Sequence, residues 1–177
     1  MEREEVLRLC HVDGGSLLDV GVGPLATIAA RDLGCQVTTV DIDPESLISE
    51  RRRAIDQGLG DRISLVRADA SRLPFMEGSF ESVVVYGALH HIPPRDRRAL
   101  LEETFRAASE RLCVAEYTES GFPHPGGEFQ RVELGWLRDT LVAMGPTRVI
   151  EGEEMNLYIL QVFPDLSWGG SDRWNDK

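Results

Sequence analysis

The chain has 177 residues, 42% of them hydrophobic, and a formal net charge of -11. That length fits one domain with a full-sized core. The acidic balance argues against a polynucleotide partner, whose phosphates must be neutralised by basic side chains. Cys10, Cys35 and Cys113 are widely spaced and form no CxxC pair, so neither a disulfide framework nor a zinc site is expected, and all three read as buried thiols in a reducing compartment.

Taken in chain order, Glu2 to Cys10 reads as a short amphipathic helix. Its charged start has no signal-peptide character, and no apolar run approaches the ~18 residues of a membrane span, so a cytoplasmic protein is expected. Leu17 to Val20 is the first strand, Leu25 to Leu33 a helix closed by Gly34, and Gln36 to Val40 the second strand. Pro44 to Gly58 follows as a helix and Ile63 to Arg67 as the third strand. Ser82 to Tyr86 is almost wholly apolar, as the centre of a parallel sheet requires. Arg95 to Glu110 is a helix, Arg111 to Glu116 a strand, and residues 117 to 130 a Gly- and Pro-rich loop. Val132 to Met144 is the last helix, before strands at Thr147 to Glu151 and Asn156 to Phe163. The basic clusters Arg51-Arg52-Arg53 and Arg95 with Arg97-Arg98 read as solvated helix faces.

This alternation predicts an α/β, doubly wound, mostly parallel sheet with helices on both faces. The link between the last two strands is too short for a crossover helix, so they must form an antiparallel hairpin. One domain is expected over 1–163, with 1–14 as its lead-in, and the polar, Gly-rich 164–177 as a frayed tail.

In open α/β sheets ligands bind at the C-terminal ends of the strands. Asp19, Asp41, Asp69 and Tyr86-Gly87 fall at or just after such ends. Gly21-Val22-Gly23-Pro24-Leu25-Ala26 fits the dinucleotide pattern G-x-G-x-x-A, and Asp41 follows at the distance of a ribose-binding acid. Asp19, however, is a poor neighbour for a pyrophosphate and a good one for an ammonium group. It turns the reading towards a cationic nucleoside. Asp41 is assigned to the ribose hydroxyls, since Asp43 before Pro44 is the better helix cap. Asp69 is assigned to the exocyclic amine of the base, with Ile42 and Leu73 as candidates for its apolar flanks.

Leu-Leu-Asp-Val-Gly-Val-Gly, Val40-Asp41-Ile42-Asp43-Pro44, Ala68-Asp69-Ala70 before Leu73-Pro74-Phe75, Ser79-Phe80-Glu81, and Ala88-Leu89-His90-His91-Ile92 together resemble the class I S-adenosylmethionine-dependent methyltransferases. Among these the chain is most similar to the small quinone-biosynthesis branch. The resemblance implies a seven-stranded sheet of order 3-2-1-4-5-7-6 with the last strand antiparallel. It implies S-adenosylmethionine as cofactor and S-adenosylhomocysteine as product. Gly21 and Gly23 would hold the methionine portion with Asp19 nearby, Asp41 the ribose, Asp69 and Ala70 the adenine, and the Gly87 carbonyl the amino group. Leu25 stands where the family usually has a third glycine, and a side chain there narrows the approach to the methionine end.

His90 and His91 are the best base candidates, because histidine ordinarily titrates near neutrality. Glu116, Tyr117 and His124 follow the fifth strand and are candidate acceptor contacts; no metal is expected. The acceptor is a small molecule or a protein side chain. A homodimer or a partner subunit would supply missing recognition surface. Two other readings stand beside methyl transfer: a nicotinamide-dependent oxidoreductase, and a catalytically silent nucleoside-binding scaffold.

Overall fold

The computed structural model describes residues 1–122 and 129–163. A seven-stranded sheet runs through the middle of the fold. Its strands are β1 (Ser16–Val20), β2 (Gln36–Asp41), β3 (Ile63–Arg67), β4 (Phe80–Tyr86), β5 (Ala108–Tyr117), β6 (Thr147–Ile150) and β7 (Met155–Gln161). The helices are α1 (Arg3–Leu9), α2 (Pro24–Asp32), α3 (Pro44–Asp56), α4 (Pro94–Ala107) and α5 (Leu134–Met144). The strand order is β3-β2-β1-β4-β5-β7-β6. The first five strands pair in parallel, and β7 is antiparallel to both β5 and β6. This is the topology expected from the motifs.

Side chains alternate between two cores, one on each face. Leu17, Val37, Val84 and Cys113 pack under α1, α2 and α3, with Leu7, Ala29 and Ala54. Leu18, Val83, Val85 and Leu112 pack under α4 and α5, with Leu100, Leu101, Leu137 and Leu141. Both faces of β4 are therefore buried, which explains its continuous valine run. All three cysteines are free and buried. Cys10, at the end of α1, lies within hydrogen-bonding reach of Cys113 on β5.

Helix starts follow their caps. The Asp43 carboxylate accepts from the Glu45 and Ser46 amides, and Pro44 presets the first helical residue of α3. α5 begins at Leu134 rather than Val132, because Glu133 caps it by accepting from the Gly135 and Trp136 amides. α3 stops two residues short of the expected Gly58, whose φ of +70° ends helical geometry. The helix expected to reach Glu110 ends at Ala107, and β5 starts at Ala108 with no intervening loop. Pairing is the reason: Ala108 sits opposite Phe80, and Ser109 Oγ donates to the Phe80 carbonyl at 3.2 Å. A register shift between Phe80 and Ser82 joins this stretch to the main ladder.

Candidate active site

The turn after β1 begins at Gly21, whose φ of +94° is a left-handed conformation that favours glycine. Its amide donates to the Val40 carbonyl at 2.8 Å, tying the turn to β2. Gly23 is extended, so its backbone conformation does not demand glycine; a Cβ there would meet no protein atom within 4 Å. The turn floors a cavity of about 470 Å³ at the C-terminal ends of β1 to β4. That volume suits a ligand of nucleoside size or larger.

Eight sequence-predicted residues line this cavity together: Asp19, Gly21, Gly23, Asp41, Ile42, Asp69, Ala70 and Gly87. Asp41 Oδ2 accepts from the Val22 amide at 2.9 Å and Oδ1 from the Asp43 amide at 2.9 Å. A carboxylate has about four lone-pair positions, so this anchoring leaves room for two ligand hydroxyls. Asp69 Oδ1 accepts from the Ser71 amide and hydroxyl, at 2.9 and 2.7 Å. These bonds hold its carboxyl below the usual range and keep it charged. Asp19 is 2% exposed, and burial first, then the charge of Glu50, push its carboxyl well above the usual range.

Leu73 does not flank the cavity; it packs in the α4 and α5 core. Leu25 lines the cavity, yet its side chain is 2% exposed and packs in the opposite core with α1. The side chain in place of glycine is thus largely drawn into the fold.

Two polar lining groups, Arg3 and Ser46, escaped the sequence reading. Arg3 stands 4.5 Å from the Tyr86 ring centre in a cation–π contact, and the Tyr86 hydroxyl donates to the Met1 carbonyl at 2.8 Å. The start of the chain thereby walls one side of the cavity. Ser46 of α3 is the second. The only signal was the arginine at position 3, indistinguishable from any exposed helix charge.

The histidines divide. A 3-10 turn, Leu89–His91, follows β4. His91 is exposed and lines the cavity. His90 is buried, its Nδ1 3.0 Å from Glu116 Oε1. Glu116 is 1% exposed and also accepts from the Leu89 amide at 3.1 Å and the Tyr117 amide at 2.9 Å. Its place is behind the histidine turn, so the expected direct contact with an acceptor gives way to holding that turn. Tyr117 packs its ring edge-on to His90 at 5.4 Å, as does Phe122, and Phe129 meets His91 at 4.3 Å. His124 lies outside the described residues.

Arg51, Arg52 and Arg53 are exposed as expected, but Arg97 needs correction. Arg97 is 4% exposed; its guanidinium donates to the Leu89 and Ile92 carbonyls at 3.1 and 3.0 Å and to the carbonyls of Gln130 and Arg131. It ties the histidine turn to residues 130 and 131. Arg53 pairs at 2.7 Å with Glu50, which is fully buried.

Comparison with known proteins agrees with this architecture. Residues 17–110, more than half of the chain, match the methyltransferase domain family, and the chain belongs to that family. The ubiquinone/menaquinone biosynthesis C-methyltransferase UbiE of Methylococcus capsulatus is 32% identical over 118 residues, covering 63% of this chain and 47% of that protein. The chain thus spans about half the length of the curated relatives it matches. A putative S-adenosyl-L-methionine-dependent methyltransferase from Methanococcus maripaludis superimposes with a TM-score of 0.74 at 14% identity, covering 89% and 82% of the two chains. Magnesium protoporphyrin IX methyltransferase from Synechocystis, with bound S-adenosylmethionine, gives 0.69 at 16% identity, covering 90% and 78%. The shared fold is that of the class I S-adenosylmethionine-dependent methyltransferases.

Proposed function

We propose that this chain binds S-adenosylmethionine in the strand-end cavity and directs its methyl group to a small-molecule acceptor. The carrying observation is that three strand-end acids, Asp19, Asp41 and Asp69, face one cavity floored by the glycine turn. The residues fit the cofactor in kind. A buried Asp19 oxygen has no hydrogen-bond partner and borders the cavity, where an ammonium group would supply one. Asp41 is braced for the ribose hydroxyls and Asp69 for the adenine amine, with Ile42 and Ala70 against the base. A nicotinamide dinucleotide would place a pyrophosphate, which has no ammonium group to offer, beside the unpartnered Asp19 oxygen.

When bound, the cofactor supplies an electrophilic methyl group on a sulfonium. The chain contributes orientation: Gly21 and Gly23 allow close backbone approach, and the Gly87 carbonyl accepts from the amino group. In-line alignment of the acceptor accounts for much of the acceleration in such a reaction. His91, at the cavity wall, is the group we assign to remove the acceptor's proton where the nucleophile carries one. His90 is held by Glu116, so it fixes the turn that presents His91. Tyr117, Phe122 and Phe129 give this end an aromatic surface, which favours a flat acceptor of the kind the name of the UbiE relative implies.

One domain over 1–163, a cytoplasmic location and a homodimer or partner subunit complete the reading. A single continuous sheet supports the one-domain reading, and among the described residues no helix is long and apolar enough to cross a membrane. Titration calorimetry with S-adenosylhomocysteine and, in parallel, NADH tests the cofactor assignment. Micromolar binding of the first alone is expected; binding of NADH alone would overturn it. A subsequent screen of quinol-like and phenolic acceptors for methyl incorporation separates an enzyme from a silent scaffold.

A further inference from the structure

Among the described residues, four buried side chains carry an oxygen that no hydrogen-bond partner reaches: Asp19 Oδ2, Thr27 Oγ1, Thr39 Oγ1 and Glu50 Oε1. They gather on one face of the sheet. Asp19 and Thr39 are register partners on the parallel strands β1 and β2, so they stand side by side. Leu17 and Val37, two residues earlier on each strand, pack under α2 and α3. Glu50 belongs to the buried stripe Leu47, Glu50, Ala54 of α3, and Thr27 to the buried side of α2. Of the four, only Asp19 lines the large cavity.

Two buried carboxyls on one face of the sheet repel each other, and burial disfavours the charge on each. Glu50 has its own counter-charge, since Arg53 Nη1 bonds its other oxygen at 2.7 Å. Asp19 has less. Glu50 from α3 and Asp41 from β2 repel its charge; Arg3 from α1 and the Ala26 amide from α2 favour it; β4 offers the apolar Val84. Hard divalent cations take about six to eight oxygen ligands, and this cluster offers four unpartnered ones. A proton satisfies the pair more simply.

We propose that Asp19 and Glu50 form a proton-holding pair behind the cavity, with Asp19 neutral in the free protein and releasing its proton to solvent when the cofactor's ammonium group arrives. This rests on the cofactor reading above. Glu50, remote from the ligand, acts as a positioning residue that keeps the proton on Asp19. Charge is conserved: one O–H bond of the acid breaks, the proton passes to buffer, and the carboxylate pairs with the ammonium. Cofactor affinity then rises with pH until free Asp19 ionises by itself.

The test is calorimetric titration of the full chain with S-adenosylhomocysteine at pH 7 in buffers of different ionisation enthalpy. Wild type should release about one proton per ligand bound. Glu50→Gln should still bind and release less than half as much. Binding without proton exchange, or equal release from wild type and variant, would overturn the proposal and leave the cofactor assignment standing. No binding at all would overturn both. The carbon-13 shift of the Asp19 carboxyl in the ligand-free wild type needs neither ligand nor variant. A protonated carboxyl at pH 7 is expected, and an ionised one overturns the pair.

Discussion

At the ends of β2 and β3 the site's carboxylates are braced over shorter spans: Asp41 by the Asp43 amide and by the Val22 amide 19 positions away, Asp69 by Ser71. At the ends of β4 and β5 the bracing is long-range. Glu116 holds the Leu89 amide and the His90 ring, 27 and 26 positions away, and Arg97 reaches carbonyls 33 and 34 positions on. The carboxylates of the cofactor side are thus braced within the β1 to β3 part of the chain. The acceptor side exists only once the sheet has assembled. A cofactor pocket of the first kind survives drift elsewhere in the chain, whereas the second changes whenever a distant contact does.

Glu116→Ala breaks the acceptor side most severely. It leaves the Leu89 and Tyr117 amides and His90 Nδ1 without their buried acceptor, and should lower stability by about 3–5 kcal/mol in urea unfolding. An effect near zero would mean the histidine turn stands without it. Asp41→Ala strikes the cofactor side. It should weaken S-adenosylhomocysteine by about 1.5–3 kcal/mol in calorimetry, with the fold intact by circular dichroism. Unchanged affinity would move the ribose elsewhere.

Gly87→Ala probes the seam between the halves. Glycine 87 has φ +55°, and an added Cβ would lie 3.0 Å from Tyr117 Cε2. We expect a loss of about 1–2 kcal/mol, read as a lower thermal midpoint, from left-handed strain alone. Asp43→Ala, on the locally braced side, should cost about 1 kcal/mol through loss of the α3 cap. A cost as large as that of Glu116→Ala would erase the distinction between local and long-range bracing.

The same distinction explains what could be read from the chain. Asp19, Asp41, Asp69 and the glycine turn were legible because strand, acid and turn are adjacent in sequence, and all of them meet in one cavity. The sheet order was legible through the family resemblance that the motifs carry. Glu50, Arg97 and Glu116 were misread or missed, because their roles depend on which element packs opposite. A glutamate in an apolar helix stripe is a faint signal, visible at Leu47, Glu50 and Ala54 only once the stripe is known to face the sheet. The abrupt change from α4 to β5 at Ala108 was hidden for the same reason, since the partner residue Phe80 dictates it.

The placement of the thiols makes the protein its own clock. Cys10, Cys35 and Cys113 are all fully buried, and Cys10 joins α1 to β5. A thiol reagent in solution therefore waits for the structure to open, and the rate of Cys10 labelling counts how often α1 lifts away. Because Arg3 of that helix also walls the cavity, a bound nucleoside should slow the count, so occupancy can be timed without any acceptor in hand.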